Sequence, residues 1–140
     1  MKVVVDTDIF IGACLGHGAC RAVIAACLEK KLTPLMGVAL FAEYEDILSR
    51  NKLFSRSRLY ASEREELLDI YLATCRWTRI YYGWRPNLRD EGDNHLVELA
   101  VAGGADYIVT KNLRDVARME LLFPNLKVVF PETLLKEIKL

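Results

Sequence analysis

The chain has 140 residues, 52% of them hydrophobic and 27% charged, which describes one globular domain with a single substantial core and excludes a disordered chain. Lys+Arg and Asp+Glu are both 19, so the formal net charge is zero. Net charge therefore announces no nucleic-acid partner, although acidic metal ligands can cancel a basic rim in the sum. Cys14, Cys20, Cys27 and Cys75 form no CxxC pair and no zinc spacing, and read as reduced, structural thiols. No apolar run reaches transmembrane length, and a strand that begins at residue 2 leaves no room for a leader, so the expected location is the cytoplasm.

In chain order, Val3-Val4-Val5 closed by Asp6-Thr7-Asp8 reads as a buried parallel strand, because β-branched side chains suit a pleat covered on both faces. Ile9 to Leu15 follows, then the turn Gly16-His17-Gly18, with His17 read as a surface residue. A helix is expected from about Ala19 to Lys31, with Val23, Ile24, Cys27 and Leu28 on one face. Thr33 to Met36 is a second strand, its proline suited to a strand start or an edge. A helix spans about Ala39 to Arg50, and Asn51 to Ala61 is a polar, basic connection. Ser62 and Glu65 have the spacing of a capping box and predict a helix to about Cys75. Trp77 to Tyr81 is a third strand, Tyr82 to Arg89 a loop, and Asp93 to Ala102 a helix ended by Gly103-Gly104. A fourth strand covers Ala105 to Thr110, a short helix ends near Leu122, Lys127 to Phe130 is the last strand, and Pro131 to Lys139 a closing helix. Strands alternating with helices imply an α/β fold, a three-layer α/β/α sandwich with a mostly parallel central sheet, as one domain over residues 1–140.

The acidic residues fall where such a sheet collects ligands, beyond the carboxyl ends of its strands. Asp6 and Asp8 end the first strand, Glu43 lies beside the apolar stripe of its helix, Asp90 and Asp93 bracket a helix start, and Asp115 follows the strand that ends at Thr110. Converging carboxylates repel one another unless a cation sits between them, and magnesium or manganese, hard ions that take oxygen ligands, meet that need. Such ions serve phosphodiester hydrolysis. Helix capping explains Asp90, Asp93 and Asp115 equally well, and a solvated helix face explains Glu43. Asp6 resists such a reading, since an acid closing a buried strand has few structural uses.

Val3-Val4-Val5-Asp6-Thr7-Asp8, Ala42-Glu43-Tyr44-Glu45-Asp46-Ile47-Leu48, and Arg89-Asp90-Glu91-Gly92-Asp93-Asn94 running through Leu99-Ala100 to Gly103-Gly104-Ala105-Asp106-Tyr107-Ile108-Val109-Thr110 resemble the successive motifs of the PIN-domain family. The likeness extends over nearly the whole chain and is strongest to the toxin components of prokaryotic toxin–antitoxin pairs. It implies a PIN-like fold and a metal-dependent endoribonuclease, with Mg2+ or Mn2+ held by Asp6, Glu43 and Asp93 and with Asp90 as a supporting acid. Thr110 and Asn112 match the family's Thr-x-Asp or Thr-x-Asn motif. Because Asn112 is neutral where many members have a fourth acid, a second ion would bind weakly or through Asp115. Asp8, in place of the commoner asparagine, returns one carboxylate near the first strand. The resemblance also implies an RNA substrate, a cognate antitoxin protein, and a homodimer or higher homo-oligomer.

Arg50, Lys52, Arg56 and Arg58, with Arg85 and Arg89, could face RNA phosphates, and Tyr81, Tyr82 and Trp84 could stack a base; surface charge and packing are the plainer roles. Two further readings use the same residues. Asp6-Thr7-Asp8 fits the Asp-x-Asp opening of a haloacid-dehalogenase-type phosphatase, with Lys111 as its lysine, but the paired acids that family needs at its fourth strand are missing. An inactive PIN fold used for binding or assembly is the other, and Asn112 is the feature that favours it.

Overall fold

The computed structural model describes residues 1–80, 94–112, 123 and 125–138. The described chain runs β1 (Lys2–Val5), α1 (Thr7–Cys14), α2 (Gly18–Leu28), β2 (Thr33–Met36), α3 (Val38–Leu48), a 3-10 turn (Asn51–Phe54), α4 (Ala61–Thr74), β3 (Arg76–Trp77), α5 (Asn94–Gly103), β4 (Tyr107–Val109), β5 (Lys127–Val129) and α6 (Pro131–Ile138). The sheet order is β3-β2-β1-β4-β5, and every pairing is parallel. Val3, Val4 and Val5 of the central strand are all 0% exposed. Successive strand residues point to opposite faces, so helices must cover the sheet on both sides. This is the three-layer α/β architecture expected from the alternating elements. No single helix among the described residues is long and apolar enough to cross a membrane.

The strand order locates the site. From β1 the chain steps outward to β2 and then β3, returns to β4 on the other flank of β1, and continues outward to β5. The two series diverge between β1 and β4, and the crevice beyond their carboxyl ends is the natural ligand position of such a sheet. Asp6 leaves β1 there and Thr110 leaves β4. Their backbones extend the ladder, with Asp6 N donating to Val109 O at 3.0 Å and Thr110 N donating to Val129 O at 3.0 Å.

Two local expectations are corrected and a third is narrowed. Ile9 to Cys14, given no element, belongs to α1, whose Thr7, Ile9, Phe10, Gly12 and Cys14 are buried; its residues from Ile9 on are all apolar or small, which leaves no polar stripe to mark its period. Ser62 is not the cap of α4. The helix begins two residues earlier, and the Glu63 carboxylate accepts from Tyr60 N at 2.8 Å, the return half of a capping box. Pro34 takes the first of its two expected places, the start of a strand, here an interior one in which it lies opposite Val3. It is tolerated because β3 pairs only with Leu35 and Met36, leaving the proline at the strand start with no ladder bond on that side.

Gly103 closes α5 where a side chain has no room, since a Cβ there would collide with Leu35 Cδ1 and crowd Thr78 Oγ1. Leu35 is fully buried and cannot swing away. Gly103→Ala is expected to destabilise the protein by roughly 1–3 kcal/mol, read as a lower urea midpoint at unchanged slope.

Candidate active site

Asp6 is buried, and both of its oxygens are held. Oδ1 accepts from Thr7 N at 2.7 Å and Oδ2 accepts from Thr110 Oγ1 at 2.8 Å. Its first duty is local, as the N-cap of α1. A cap can be made by Ser or Thr without burying a charge, so capping alone does not account for a carboxylate here. Burial pushes its pKa up, and the neighbouring charge of Glu43 adds to this against the Thr110 hydrogen bond.

Asp8 enters from the first turn of α1. Its Oδ2 accepts from Lys111 N at 2.9 Å and lies 3.2 Å from Thr110 Oγ1. A hydroxyl carries one hydrogen, so the Thr110 proton belongs to the nearer Asp6 oxygen, and two acids compete for one donor. Thr110 Oγ1 also accepts from Asn112 N at 3.0 Å, which fixes the residue after the strand. Asp8 Oδ1 is buried with no hydrogen-bond partner among the described residues. Burial, and then the charge of Asp6, push the Asp8 carboxyl up to about 6.

Glu43 reaches the same place from α3. Thr7 Oγ1 donates to its Oε1 at 3.0 Å and stands 3.4 Å from Asp6 Oδ1, so one hydroxyl spans the two acids. The other oxygen, Oε2, is 2.6 Å from His95 Nε2 on α5. That hydrogen bond, with help from Thr7, holds the Glu43 carboxyl below its ordinary value despite partial burial. Next along α3, the fully buried Tyr44 donates its hydroxyl to Val5 O at 2.8 Å, tying the helix to the end of β1.

The structure therefore joins Asp6, Glu43, Asp8 and Thr110 in one network, with Asn112 bound to it through its backbone. Thr7 and His95 are members that the sequence did not single out. Asp90, Asp93, Asp115 and Arg89 lie outside the described residues, as do Arg85, Tyr81, Tyr82 and Trp84. Among the described residues no three His, Cys, Asp or Glu side chains form a complete metal-holding group. The donor chemistry nonetheless suits a hard divalent ion: the converging groups are carboxylate oxygens, and Asp8 Oδ1 meets no donor among the described residues.

The described basic side chains expected to face substrate, Arg50, Lys52, Arg56 and Arg58, take no part in this network. Arg50, just past the end of α3, is exposed and ion-paired with Asp46 in that helix's last turn at 2.6 Å, and Lys52 is exposed in the 3-10 turn. Arg56 and Arg58 join Arg21 around a groove of about 660 Å³ floored by Leu15, Ile24, Leu28, Leu59 and Leu67. None of these three arginines pairs with a carboxylate among the described residues. The groove meets α1 at its far end from Asp6, about 12 Å away for an eight-residue helix.

A family model described as a PIN domain matches residues 2–114. None of the curated proteins matches the chain significantly. Among solved structures, the fold is similar to that of VapBC2 from Rickettsia felis bound to a DNA fragment from their promoter. The two share 19% identity over 91% of this chain and 97% of that one, with a TM-score of 0.58, a likeness of fold.

Proposed function

Because the chain belongs to the PIN-domain family, we propose that it is a divalent-metal-dependent endoribonuclease, the toxin of a cytoplasmic toxin–antitoxin pair. The observation that carries this reading is the junction of Asp6, Asp8 and Glu43 at the sheet's switch point through the hydroxyls of Thr7 and Thr110. Such an arrangement raises the energy of the free site, because the acids are desolvated and face one another with few donors between them. An inert fold gains nothing from it. The family match likewise leaves no ground for the phosphatase reading.

Asp6 and Glu43 would hold the ion, Mg2+ or Mn2+, with Asp93 as third ligand and Asp8 beside them; Asp90 supports, and Asp115 is the candidate for a second ion. When bound, the ion would polarise the scissile phosphate and lower the pKa of a water. Thr110 holds the Asp6 oxygen that faces β4, Thr7 fixes the Glu43 oxygen nearest Asp6, and the Lys111 backbone anchors Asp8. The carboxylates are thus oriented before substrate arrives, which lowers the reorganisation needed at the reacting phosphate. Arg50, Lys52 and Arg89 would contact the RNA backbone.

The groove edged by Arg21, Arg56 and Arg58 suits an acidic segment with one apolar face, and we assign it to the antitoxin. Its aliphatic floor offers RNA no ring on which a base could stack. Self-association of the toxin is part of the same proposal.

The reading is tested by incubating the purified chain with a mixed single-stranded RNA in Mg2+, in Mn2+ and in EDTA. Cleavage in either metal and none in EDTA is the expected result. Cleavage that persists in EDTA, or a folded chain that cuts in neither metal and does not arrest growth when expressed in a bacterial host, overturns it.

A further inference from the structure

We infer that His95 is a positioning residue: it holds Glu43 Oε2, so that Oε1, the oxygen beside Asp6, is the one offered to the divalent ion. This rests on the metal-dependent reading above. The two Glu43 oxygens have different partners, Oε1 taking the Thr7 hydroxyl at 3.0 Å and Oε2 the His95 ring at 2.6 Å. A carboxylate oxygen only accepts, so Nε2 carries the hydrogen of that contact. Among the described residues His95 Nδ1 is buried without a hydrogen-bond partner, and the ring's one hydrogen bond there is to Glu43.

A glutamate on a helix surface has three rotatable side-chain bonds and settles only if something holds it. Thr7 alone grips one oxygen and leaves the carboxylate plane free to turn about that contact. His95 supplies the second grip from a separate helix and fixes the plane. The direction of hold matters as much as its strength. Thr7 Oγ1 stands 3.4 Å from Asp6 Oδ1, so Oε1 is the oxygen on the Asp6 side, and His95 keeps Oε2 turned to α5. Glu43 is thereby preset as a one-oxygen ligand. His95 also follows Asp93, the expected third ligand, by two residues in the sequence.

The test is Mn2+ binding by calorimetry, paired with thermal melting in EDTA, for the wild type, His95→Ala, His95→Gln, Glu43→Gln and the Glu43→Gln/His95→Ala double variant. The expected result is a 10–100-fold weaker Mn2+ affinity in His95→Ala, the usual effect of removing a ligand's supporting partner. His95→Gln, whose amide N–H can reach Glu43, recovers most of the loss. The double variant binds no more weakly than Glu43→Gln, because the histidine acts only through that side chain. Should His95→Ala fail to fold, His95→Leu restores the volume without the donor and carries the same comparison. A lowered melting temperature with unchanged Mn2+ affinity makes His95 a merely structural tie and overturns the inference. A folded wild type that binds no Mn2+ overturns the metal reading itself, and this inference with it.

Discussion

Asp6→Asn is expected to abolish RNA cleavage, by a factor of roughly 10²–10³ or more, while making the metal-free protein more stable. The loss follows from the ion's share of transition-state stabilisation, several kcal/mol, at about 1.4 kcal/mol per tenfold in rate. The gain follows from the native environment. The Asp6 carboxylate is buried and faces Glu43, and its pKa is raised in consequence, so the charged form is strained in the folded state. Asparagine has the same shape. Its carbonyl oxygen can still accept from Thr7 N, and its amide can donate to the Thr110 hydroxyl oxygen at the position now 2.8 Å from Oδ2. Removing the charge without losing the contacts is worth about 1 kcal/mol, or a rise of a few degrees in the EDTA melting temperature. Parallel cleavage and melting experiments check both halves. An inactive variant that is also less stable would show that Asp6 is chiefly a structural cap, and an active one that it is not at the metal.

How far the sequence could foresee this site depends on the kind of interaction involved. Asp6 was legible because a run of valines closed by an acid has few explanations, and the parallel sheet because its strands alternate with helices. Glu43 was legible as a residue beside an apolar stripe, but what it meets there is a tertiary matter. His95 lies 52 residues away, and no local pattern links a single histidine in the first turn of α5 to a glutamate in α3. The one available signal was indirect: a carboxylate at the margin of a core needs a donor, and His95 stands close to Asp93 in the sequence. Thr7 was hidden for another reason, since its element was not recognised. In α1, Ile9 to Cys14 are all apolar or small, so no alternation of polar and apolar positions marks the helical period. The basic residues show the opposite failure. Arg56 and Arg58 cluster in sequence near the Glu43 helix, yet they line a groove at the far end of α1, a placement set by tertiary packing that no local pattern announces.

The metal-free protein is expected to be more stable near pH 5 than near pH 7, and a divalent ion to reverse that order. Asp6 and Asp8 both have pKa values above the ordinary 3.8, Asp8 at about 6, because burial disfavours their charged forms. Between 3.8 and about 6 the folded chain therefore binds more protons than the unfolded chain. Stability falls as pH rises through a window in which the native state holds the excess protons. Glu43 has the opposite sign: its pKa is lowered, chiefly by His95, so its contribution is present above 4.5 and is lost only as pH falls through its lower folded value. The window from about pH 4.5 to 6 thus belongs to the two aspartates. A two-unit shift corresponds to about 3 kcal/mol, but Asp8 is partly exposed and solvent screening leaves about 1 kcal/mol. A cation binds the ionised carboxylates alone, and at a hundred times its dissociation constant it adds roughly 2.7 kcal/mol at pH 7, with little gain near pH 5 where Asp8 holds a proton. Melting temperatures across pH 4.5 to 8, in EDTA and in Mn2+, should cross. Asp8→Asn should flatten the EDTA slope, and because the aspartate is one of two acids competing for the Thr110 proton, that variant should also raise the metal-free melting temperature at pH 7. An EDTA melting temperature that falls steadily from pH 7 to pH 5 would mean that donors, and not desolvation, set the state of these carboxylates, and that the site has no unbalanced charge for a cation to relieve.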